Sequence, residues 1–482
     1  MLERKFEGIK EKLTGFFSIH NHSDYSNIRL IDALNKPKDL IKHGNDIGLK
    51  GAVLSDHETL AGHIKFIQAY KELKNSLVDD FKIGLGNEIY LVKEDTVEDL
   101  QENWKNRIEN PETKFYHFLL VAKDREGWSQ LQKLSSLAWE RSFKTGKMYR
   151  CPTFKSDLAE IVQGGHVMAS SACLGSQISQ YILRWSEAAM VPNNEKRIAY
   201  YQNELHEFIT FCINIFGKEN FFLEIQPSHN SEQVTVNKTM FWLGEQYGLD
   251  VIATTDSHYL TAEEQEVHRI YLQSKEGDRE VDEFYATTYE MNEEMMYEFF
   301  KPYLTDEQII TAINNTMKIH EMVEVYDVFQ KTVIPHAHIK EFESQHLFSE
   351  YYHVYTSIEE FANADNIFDR AYLNEIEKGF VEHIGFDVDK DYLQAVLARI
   401  DLELSEVSKI SNILEDGMSQ YFLLMQEIVD TIWESGSLTP AGRGSSSGYI
   451  TNYLLNITQV NPLDYDLPYY RFLNSERVGL PD

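Results

Sequence analysis

The chain has 482 residues, of which 43% are apolar and 12% aromatic, so it can bury a core in roughly two to four domains and is not broadly disordered. Its net charge of −32 argues against a protein that binds nucleic acid over its whole surface, so a polyanion must be contacted locally or through metal ions. No apolar run approaches the ~18 residues of a membrane span, and the three cysteines form no CxxC pair. We therefore expect a cytoplasmic protein without a membrane partner.

Short apolar runs alternate with helix-like stretches over the first 260 residues. Runs of this length are typical of buried strands, and their alternation with helices predicts parallel βα units. Seven such runs favour an α/β fold built on a barrel or a barrel-like sheet. The runs are FFSI (16–19), GAVLS (51–55), KIGLG (82–86), FLLVA (118–122), HVMASSA (166–172), FFLEI (221–225) and DVIATT (250–255).

Side chains that can bind metals border six of these seven runs. The carboxyl ends of parallel strands meet at one face of a barrel, so we expect these side chains to converge there. Two pairs have i, i+2 spacing, which directs both side chains the same way from an extended backbone. A single histidine beside a strand more often has a structural role, but potential ligands beside six of the seven runs predict a shared metal site. The residues are His20, His22, Asp56, His57, Glu88, His117, Cys173, Asp256 and His258.

Imidazole, carboxylate and thiolate groups in one site favour Zn²⁺, Mn²⁺ or Fe²⁺ over Ca²⁺ or Mg²⁺. The ligands outnumber what one ion needs, so about two or three ions are expected. Clustered ions acidify a water and stabilise both oxygens of an in-line displacement, which makes hydrolysis of a phosphate ester the natural reaction.

The chain changes character after the seventh run. From about 275 to 430 the pattern predicts mostly helices, without a ligand cluster, and the loop AGRGSSSG (441–448) follows. Glycines and serines there supply backbone N–H and hydroxyl donors for a phosphate, and a helix beginning in YITNYLLNI would add its positive end. The alternative is an ordinary connecting loop. The loop lacks the lysine of a P-loop, which disfavours a common NTPase.

The motifs SIHNHSDYS, LSDH, GNE, HFLLVA, SSACL and TTDSHYL, in this order between residues 16 and 260, resemble those of the PHP (polymerase and histidinol phosphatase) family. The resemblance implies a distorted (β/α)7 barrel that holds up to three ions. It also implies one more acid after the HxH pair, which is Asp32, with Asp24 as the alternative, and support of His57 by Asp56. The implied ligands are His20, His22, Asp32, His57, Glu88, His117, Cys173, Asp256 and His258.

The segments GRGS, ITQVNPLDYDL and YRFLNSERVGLPD resemble the palm of the C-family replicative polymerases, the bacterial and phage DNA polymerase III alpha subunits. The resemblance implies that Arg443, Gly444 and Ser445 hold the triphosphate of the incoming nucleotide. It makes Asp482 the first of the catalytic carboxylates that bind Mg²⁺. We therefore predict a PHP metal-binding domain over 1–270 and an incomplete, mostly helical α+β palm over 271–482.

The expected function is that of the N-terminal part of a replicative DNA-directed DNA polymerase. Several carboxylates are needed to hold two catalytic ions, so a chain ending at Asp482 is expected to polymerise only with the C-terminal remainder. Such an ending indicates a split or interrupted gene or a truncated sequence. The other expected partners are primer–template DNA, dNTPs, a sliding clamp and further replisome proteins.

The PHP domain is expected to act as a metal-dependent 3′→5′ exonuclease. Two alternatives come from other classes of protein. A stand-alone metallophosphoesterase of the histidinol-phosphatase type would leave the GRGSSSG loop without a role. A structural module would use its ions only to rigidify the N-terminal domain.

Overall fold

The computed structural model describes residues 8–107, 113–145, 148–276, 283–329, 333–335, 337–339 and 341–478. The chain forms two compact units, Met1–Val328 and Phe329–Asp482. Residues 271–328 therefore pack with the first unit. The predicted functional boundary at 270/271 stays a prediction.

Seven strands of the first unit form one sheet, and all seven predicted runs contribute a strand to it. In spatial order the strands are β1 (Phe17–Ser18), β2 (Gly51–Leu54), β3 (Lys82–Leu91), β4 (Tyr116–Ala122), β7 (Val167–Ser170), β8 (Phe221–Ile225) and β9 (Val251–Ala253). A separate antiparallel hairpin consists of β5 (Phe143–Thr145) and β6 (Met148–Arg150). The predicted α/β sheet is confirmed.

The prediction that all strands run parallel is wrong for β4. This strand is antiparallel to both neighbours, with Glu88 opposite Leu119 on β3 and Leu120 opposite Ala169 on β7. The reason is that β3 continues to Leu91, beyond the predicted run, and β4 returns alongside it. The start of β4 therefore lies at the rim where the parallel strands end.

The two edges of the sheet meet beyond β1 and β9. Asn21 and Ser257 form a parallel bridge, in which the His22 amide donates to the Ser257 carbonyl at 2.8 Å and the Ser257 amide donates to the His20 carbonyl at 3.0 Å. These bonds satisfy the edge groups that an open sheet would leave unpaired. The sheet thus closes into a barrel at the rim that carries the HxH motif.

Side chains of the strands alternate between two apolar clusters, as the period of two requires. On β4, Leu119 and Val121 belong to the cluster that also holds Phe17 and Ile252, whereas Phe118 and Leu120 belong to the larger cluster formed with the helices. Ile319 joins the first cluster from a helix that follows residue 270. That packing explains why residues 271–328 belong to the first unit.

Several helices of the first unit begin at polar capping residues. Thr96, Asp124, Ser176, Asn230 and Thr305 each accept a hydrogen bond from a backbone N–H of the first turn. The helices are α1 (Pro37–Asp46), α2 (His63–Leu73), α3 (Val97–Lys105), α4 (Arg125–Glu140), α5 (Lys155–Ile161), α6 (Gln177–Ala189), α7 (Glu195–Phe216), α8 (Ser231–Tyr247), α9 (Gln265–Glu276), α10 (Glu293–Phe300) and α11 (Asp306–Met322).

The second unit is helical over its described residues, which contain no strand. Its helices are α12 (Thr356–Ala362), α13 (Ile367–His383), α14 (Lys390–Leu414), α15 (Ser419–Glu434) and α16 (Ile450–Leu454). The predicted helical character of this region is confirmed. In neither unit does a described helix have the length and apolar composition needed to cross a membrane.

The short helix α16 is anchored by Glu403 of α14. The buried Glu403 carboxylate accepts from the Ile450 amide at 2.8 Å and from the Thr451 amide at 2.9 Å. These donors are free N–H groups of the first turn, which a carboxylate satisfies well. The contact fixes the loop that precedes α16, and this loop is AGRGSSSG.

Candidate functional site

The structure places eight of the nine predicted metal ligands in three adjoining groups at one rim of the barrel. Within each group the ligand atoms lie within 4.8 Å of one another. The ninth residue, Asp32, lies beside His57 and His258, which belong to the same group. The groups are His22, His57 and His258; His20, His22, Glu88 and Asp256; and Glu88, His117 and Cys173.

Glu88 lies at the centre of this cluster and is completely buried. One carboxylate oxygen is 2.7 Å from His117 Nδ1 and 3.1 Å from His57 Nδ1, and the other is 2.8 Å from His20 Nε2. Cys173 Sγ extends the cluster at 3.3 Å from His117 Nδ1. A carboxylate in this position can bridge two ions. The antiparallel course of β4 is what brings His117 here, from the start of its strand.

Asp256 joins the two histidines of the HxH motif. Its Oδ1 atom is 3.2 Å from His20 Nε2 and 3.1 Å from His22 Nε2. The Asp256 backbone has a positive φ of 49°, and Glu58 and Ala172, next to the predicted ligands His57 and Cys173, also have positive φ. Non-glycine residues in this conformation are strained and concentrate at functional sites, where the surrounding structure holds them.

The structure separates the two candidates for the additional acid. Asp32 is 1% exposed, 2.9 Å from His57 Nε2 and 3.6 Å from His258 Nε2. Asp24 is 30% exposed and pairs with Lys36. The geometry therefore favours Asp32 as the ninth ligand.

The Nδ1 atoms of two predicted ligand histidines are occupied by acceptors that are not themselves predicted metal-binding atoms. His20 Nδ1 is 2.7 Å from the Glu224 carboxylate, and His258 Nδ1 is 2.7 Å from the backbone carbonyl of Asp256. Each Nδ1 atom must therefore carry a proton, which it donates in the hydrogen bond to its acceptor. In the neutral imidazole the Nε2 lone pair is then free to bind a metal ion.

His22 is oriented in the same way through Ser26. The Ser26 hydroxyl donates to Asp56 at 2.8 Å, so it can only accept from His22 Nδ1, which is 3.2 Å away. Asp56 had been expected to support His57; instead it binds Ser23 and Ser26, and Ser26 accepts from the His57 amide. Asp56 thus supports the cluster through a hydroxyl rather than through the His57 ring.

Three buried atoms of the cluster form no hydrogen bond of good geometry in the described part of the chain, although two of them, His22 Nε2 and Asp256 Oδ1, lie 3.1 Å apart; the third is Asp32 Oδ1. Buried polar atoms are nearly always satisfied, because an unmade bond costs about 1–3 kcal/mol. All three belong to the nine predicted ligands. The arrangement fits metal ions, which would satisfy these atoms.

Opposite charges in the cluster shift the titration of its members in the metal-free protein. Burial alone would lower the pKa of His20, but Asp256 and Glu224 outweigh it and hold the pKa well above the usual value. Burial would raise the pKa of Glu88, but His117 and His57 hold it well below. Burial, helped by Asp256 and Glu88, raises the pKa of the Cys173 thiol. The carboxylates are therefore ionised, and ligation by Cys173 requires an ion that displaces its proton.

Besides Ser26, sequence reasoning missed three residues of this site. Glu224 lies in the only one of the seven runs without a predicted ligand, and the signal was an acid inside the apolar run FFLEI. Tyr90 follows Glu88 by two positions on β3, and its hydroxyl is 2.9 Å from His57 Nδ1. The Arg29 guanidinium lies 3.4 Å from the centre of the Tyr90 ring. Nothing local in the sequence marked Arg29.

The predicted nucleotide-binding residues line a pocket of about 520 Å³ in the second unit. Arg443, Gly444 and Ser445 form one wall, and Arg471 and Arg477 add two further positive charges. Gly444 has a φ of +67°, a conformation that favours glycine. The predicted catalytic residue Asp482 lies outside the described residues.

Comparison with known proteins identifies both parts of the chain. Residues 18–228 match the PHP domain, and residues 371–482 match the bacterial DNA polymerase III alpha NTPase domain. The DNA-directed DNA polymerase of Bacillus phage SPbeta is 40% identical over 472 residues, covering 96% of this chain and 36% of the relative. The DNA polymerase III subunit alpha of Borreliella burgdorferi is 28% identical over 481 residues, covering 97% and 34%.

Among solved structures, an amidohydrolase from Chromobacterium violaceum matches with 13% identity and a TM-score of 0.30, covering 50% of this chain and 87% of that one. The chain spans about a third of the length of the curated relatives it matches. The chain is thus similar to these polymerases over nearly its whole length, with residues 18–228 matching the PHP domain and residues 371–482 matching the bacterial DNA polymerase III alpha NTPase domain.

Proposed function

We propose that the first unit is a metal-dependent 3′→5′ exonuclease within a replicative DNA polymerase. The observation that carries the proposal is the convergence of the nine predicted ligands at one rim of the barrel, with the buried Glu88 at the centre. Imidazole, carboxylate and thiolate donors favour Zn²⁺ or Mn²⁺, in two or three positions that share Glu88 and His22. The metal-ligand set is His20, His22, Asp32, His57, Glu88, His117, Cys173, Asp256 and His258.

In the proposed reaction, water adds to the phosphorus that joins the terminal nucleotide and the P–O3′ bond breaks. The released O3′ takes up a proton, so the products are a nucleoside 5′-monophosphate and a strand, shorter by one nucleotide, with a new 3′-hydroxyl. Bound ions would supply Lewis-acid stabilisation of the phosphoryl oxygens and an acidified water. The chain's own residues hold those ions: Glu224 and Ser26 orient His20 and His22, so that their Nε2 lone pairs point into the cluster.

The test is digestion of a primer with a mismatched 3′ end in the presence of Mn²⁺ or Zn²⁺. The combined variant His20→Ala plus Asp256→Ala removes two central ligands, and we expect it to lose at least 100-fold in rate. The control His206→Ala plus Asp79→Ala removes the same residue types from exposed positions of the first unit. Equal rates for the wild-type protein and the ligand variant would reject the proposal.

We further propose that the second unit contributes the nucleotide pocket of a DNA-directed DNA polymerase. Three arginines and the flexible Gly444 in one pocket suit a triphosphate, which Arg443, Gly444 and Ser445 would hold. Asp482 would be one of the carboxylates that bind Mg²⁺. The substrates of the whole enzyme would be primer–template DNA and dNTPs, and its partners the remainder of the polymerase, a sliding clamp and other replisome proteins.

A further inference from the structure

A second pocket of the first unit opens beside the metal-ligand cluster, with a volume of about 520 Å³. His117, one of the proposed ligands, forms part of its wall, and so does Gly175, which follows Cys173 by two residues. A molecule in this pocket therefore lies next to the proposed reaction centre. The remaining lining residues are Trp104, Arg107, Thr113, Lys114, Phe115, Arg150 and Gln180.

The pocket is positively charged in a chain whose net charge is −32. Of its nine described lining residues, Arg107, Lys114 and Arg150 are basic and none is acidic. Within the described residues, Arg107 and Arg150 form no ion pair; Arg150 donates only to the Thr145 hydroxyl at 2.9 Å. Burial, with a smaller contribution from the nearby Arg29, lowers the pKa of Arg150 to about 10.

The arginines stack on aromatic rings. The Arg150 guanidinium lies 4.6 Å from the Trp104 ring centre and 5.2 Å from that of Phe115, and Arg107 lies 5.2 Å from Trp104. Stacked rings and guanidinium planes accept a nucleic-acid base on their faces, and the same guanidinium groups bind phosphate. The combination suits a nucleotide better than inorganic phosphate or a small sugar phosphate.

We propose that this pocket binds a nucleotide adjoining the scissile phosphodiester at the 3′ end of single-stranded DNA. Its base stacks on the platform of Trp104, Phe115 and Arg150, and its phosphate contacts Arg107 and Arg150. The proposal rests on the proposed exonuclease function, since it names the subsite that would select a DNA strand over a small phosphate ester. It also accounts for the local positive charge beside a metal centre in an acidic protein.

Binding tests the pocket apart from catalysis. A dT4 oligonucleotide with a 5′ fluorophore is titrated with protein in EDTA, and fluorescence anisotropy gives the Kd. We expect Trp104→Ala and Arg107→Gln each to raise the Kd about tenfold. The magnitude of the slope of log K against log salt falls by about 0.7 in Arg107→Gln. The control Arg125→Gln removes an exposed charge just after the far end of β4 and leaves the Kd unchanged.

Undetectable binding by the wild-type protein, or variants that bind as tightly as it does, would overturn the proposal. Arg107 is exposed, so Arg107→Gln should not disturb folding. Its Kd therefore tests the proposed pocket even if Trp104→Ala does not fold.

Hydrolysis tests the selectivity. Bis(p-nitrophenyl) phosphate is a small diester that reports on the metal centre alone. We expect Trp104→Ala and Arg107→Gln to lower kcat/KM about tenfold for the oligonucleotide and less than twofold for the small diester. Equal losses on both substrates would place these residues in support of the metal centre and overturn the proposal. If the wild-type protein hydrolyses neither substrate, the proposed exonuclease function fails, while the anisotropy experiment still decides whether the pocket binds DNA.

Discussion

Glu224 accepts a hydrogen bond from His20 Nδ1 at 2.7 Å, and both side chains are buried beneath the metal-ligand cluster. The same Glu224 oxygen accepts from the Thr254 hydroxyl at 2.6 Å and from the Gln226 amide at 2.9 Å. Three donors thus hold one carboxylate in place, and two of them, His20 and Thr254, are distant from it in sequence. This carboxylate in turn fixes the ring orientation and the tautomer of the first histidine of the HxH motif.

Replacing Glu224 by glutamine should weaken metal binding about 10- to 100-fold, because an amide orients His20 less well and no longer raises the basicity of its ring. Isothermal titration with Mn²⁺ and Zn²⁺ measures this loss. The control Glu219→Gln changes an exposed acid just before β8 and should bind both metals like the wild-type protein. Affinities within twofold of wild type for Glu224→Gln would contradict the role assigned to Glu224.

A methyl group on Gly175 should displace His117. A Cβ atom at this position would lie 2.8 Å from His117 Cδ2 and 3.0 Å from its Nδ1 atom, closer than non-bonded atoms approach. We expect Gly175→Ala to lower the rate of metal-dependent phosphodiester hydrolysis at least tenfold, since His117, Glu88 and Cys173 form one of the three ligand groups.

Gly8→Ala is the matched control for this substitution, because a Cβ atom on Gly8 meets nothing within 4 Å. The measurement is hydrolysis of bis(p-nitrophenyl) phosphate, together with the number of metal ions bound per chain. Wild-type rates and full metal content in Gly175→Ala would show that His117 is not needed in its present position.

Nucleotide binding in the second unit should depend on Arg443. Arg443→Gln removes a charge-assisted contact to a phosphate, and we expect the Kd for a fluorescent dNTP to rise at least tenfold. Lys390→Gln removes an exposed positive charge from the start of α14, outside the pocket lining, and is the control for net charge. Equal nucleotide affinity in Arg443→Gln and the wild-type protein would remove Arg443 from the proposed triphosphate site.

The stability of the second unit should fall as the pH rises from about 4.5 to about 7. Burial raises the pKa of Glu403 to about 7, although the Thr451 and Ile450 amides and Arg399 oppose it. Between these pH values the folded state holds a proton that the unfolded state has lost. The contribution of protonated Glu403 to the free energy of unfolding is therefore complete below pH ~4.5 and disappears as the pH passes ~7. The shift corresponds to about 3 kcal/mol in the free energy of unfolding.

Urea denaturation at pH 5 and pH 8 measures this dependence. Glu403→Gln cannot ionise, so its free energy of unfolding should change less between the two pH values than that of the wild-type protein. Glu427→Gln, an exposed position on α15, should retain the wild-type dependence. If Glu403→Gln and wild type show the same change with pH, the raised pKa of Glu403 is not the cause.

Much of the fold could be predicted from local patterns. Each of the seven apolar runs is a strand because a short apolar segment between polar helices can be satisfied only inside a sheet. The positions bordering the runs predicted the ligand cluster for the same reason, since strand ends in one sheet must meet. The direction of β4 could not be predicted, because a run such as FLLVA is equally apolar in either direction.

The amino-acid sequence by itself determined the chemical types of the predicted ligands and the two family motifs. Those properties are local, and the tertiary structure did not alter them. Only the tertiary structure decided that Asp32 rather than Asp24 faces His57, that Glu224 orients His20 and that Arg150 and His117 line one pocket. Each of these contacts joins residues that are distant in sequence, so their distance depends on how the barrel closes and not on any local pattern.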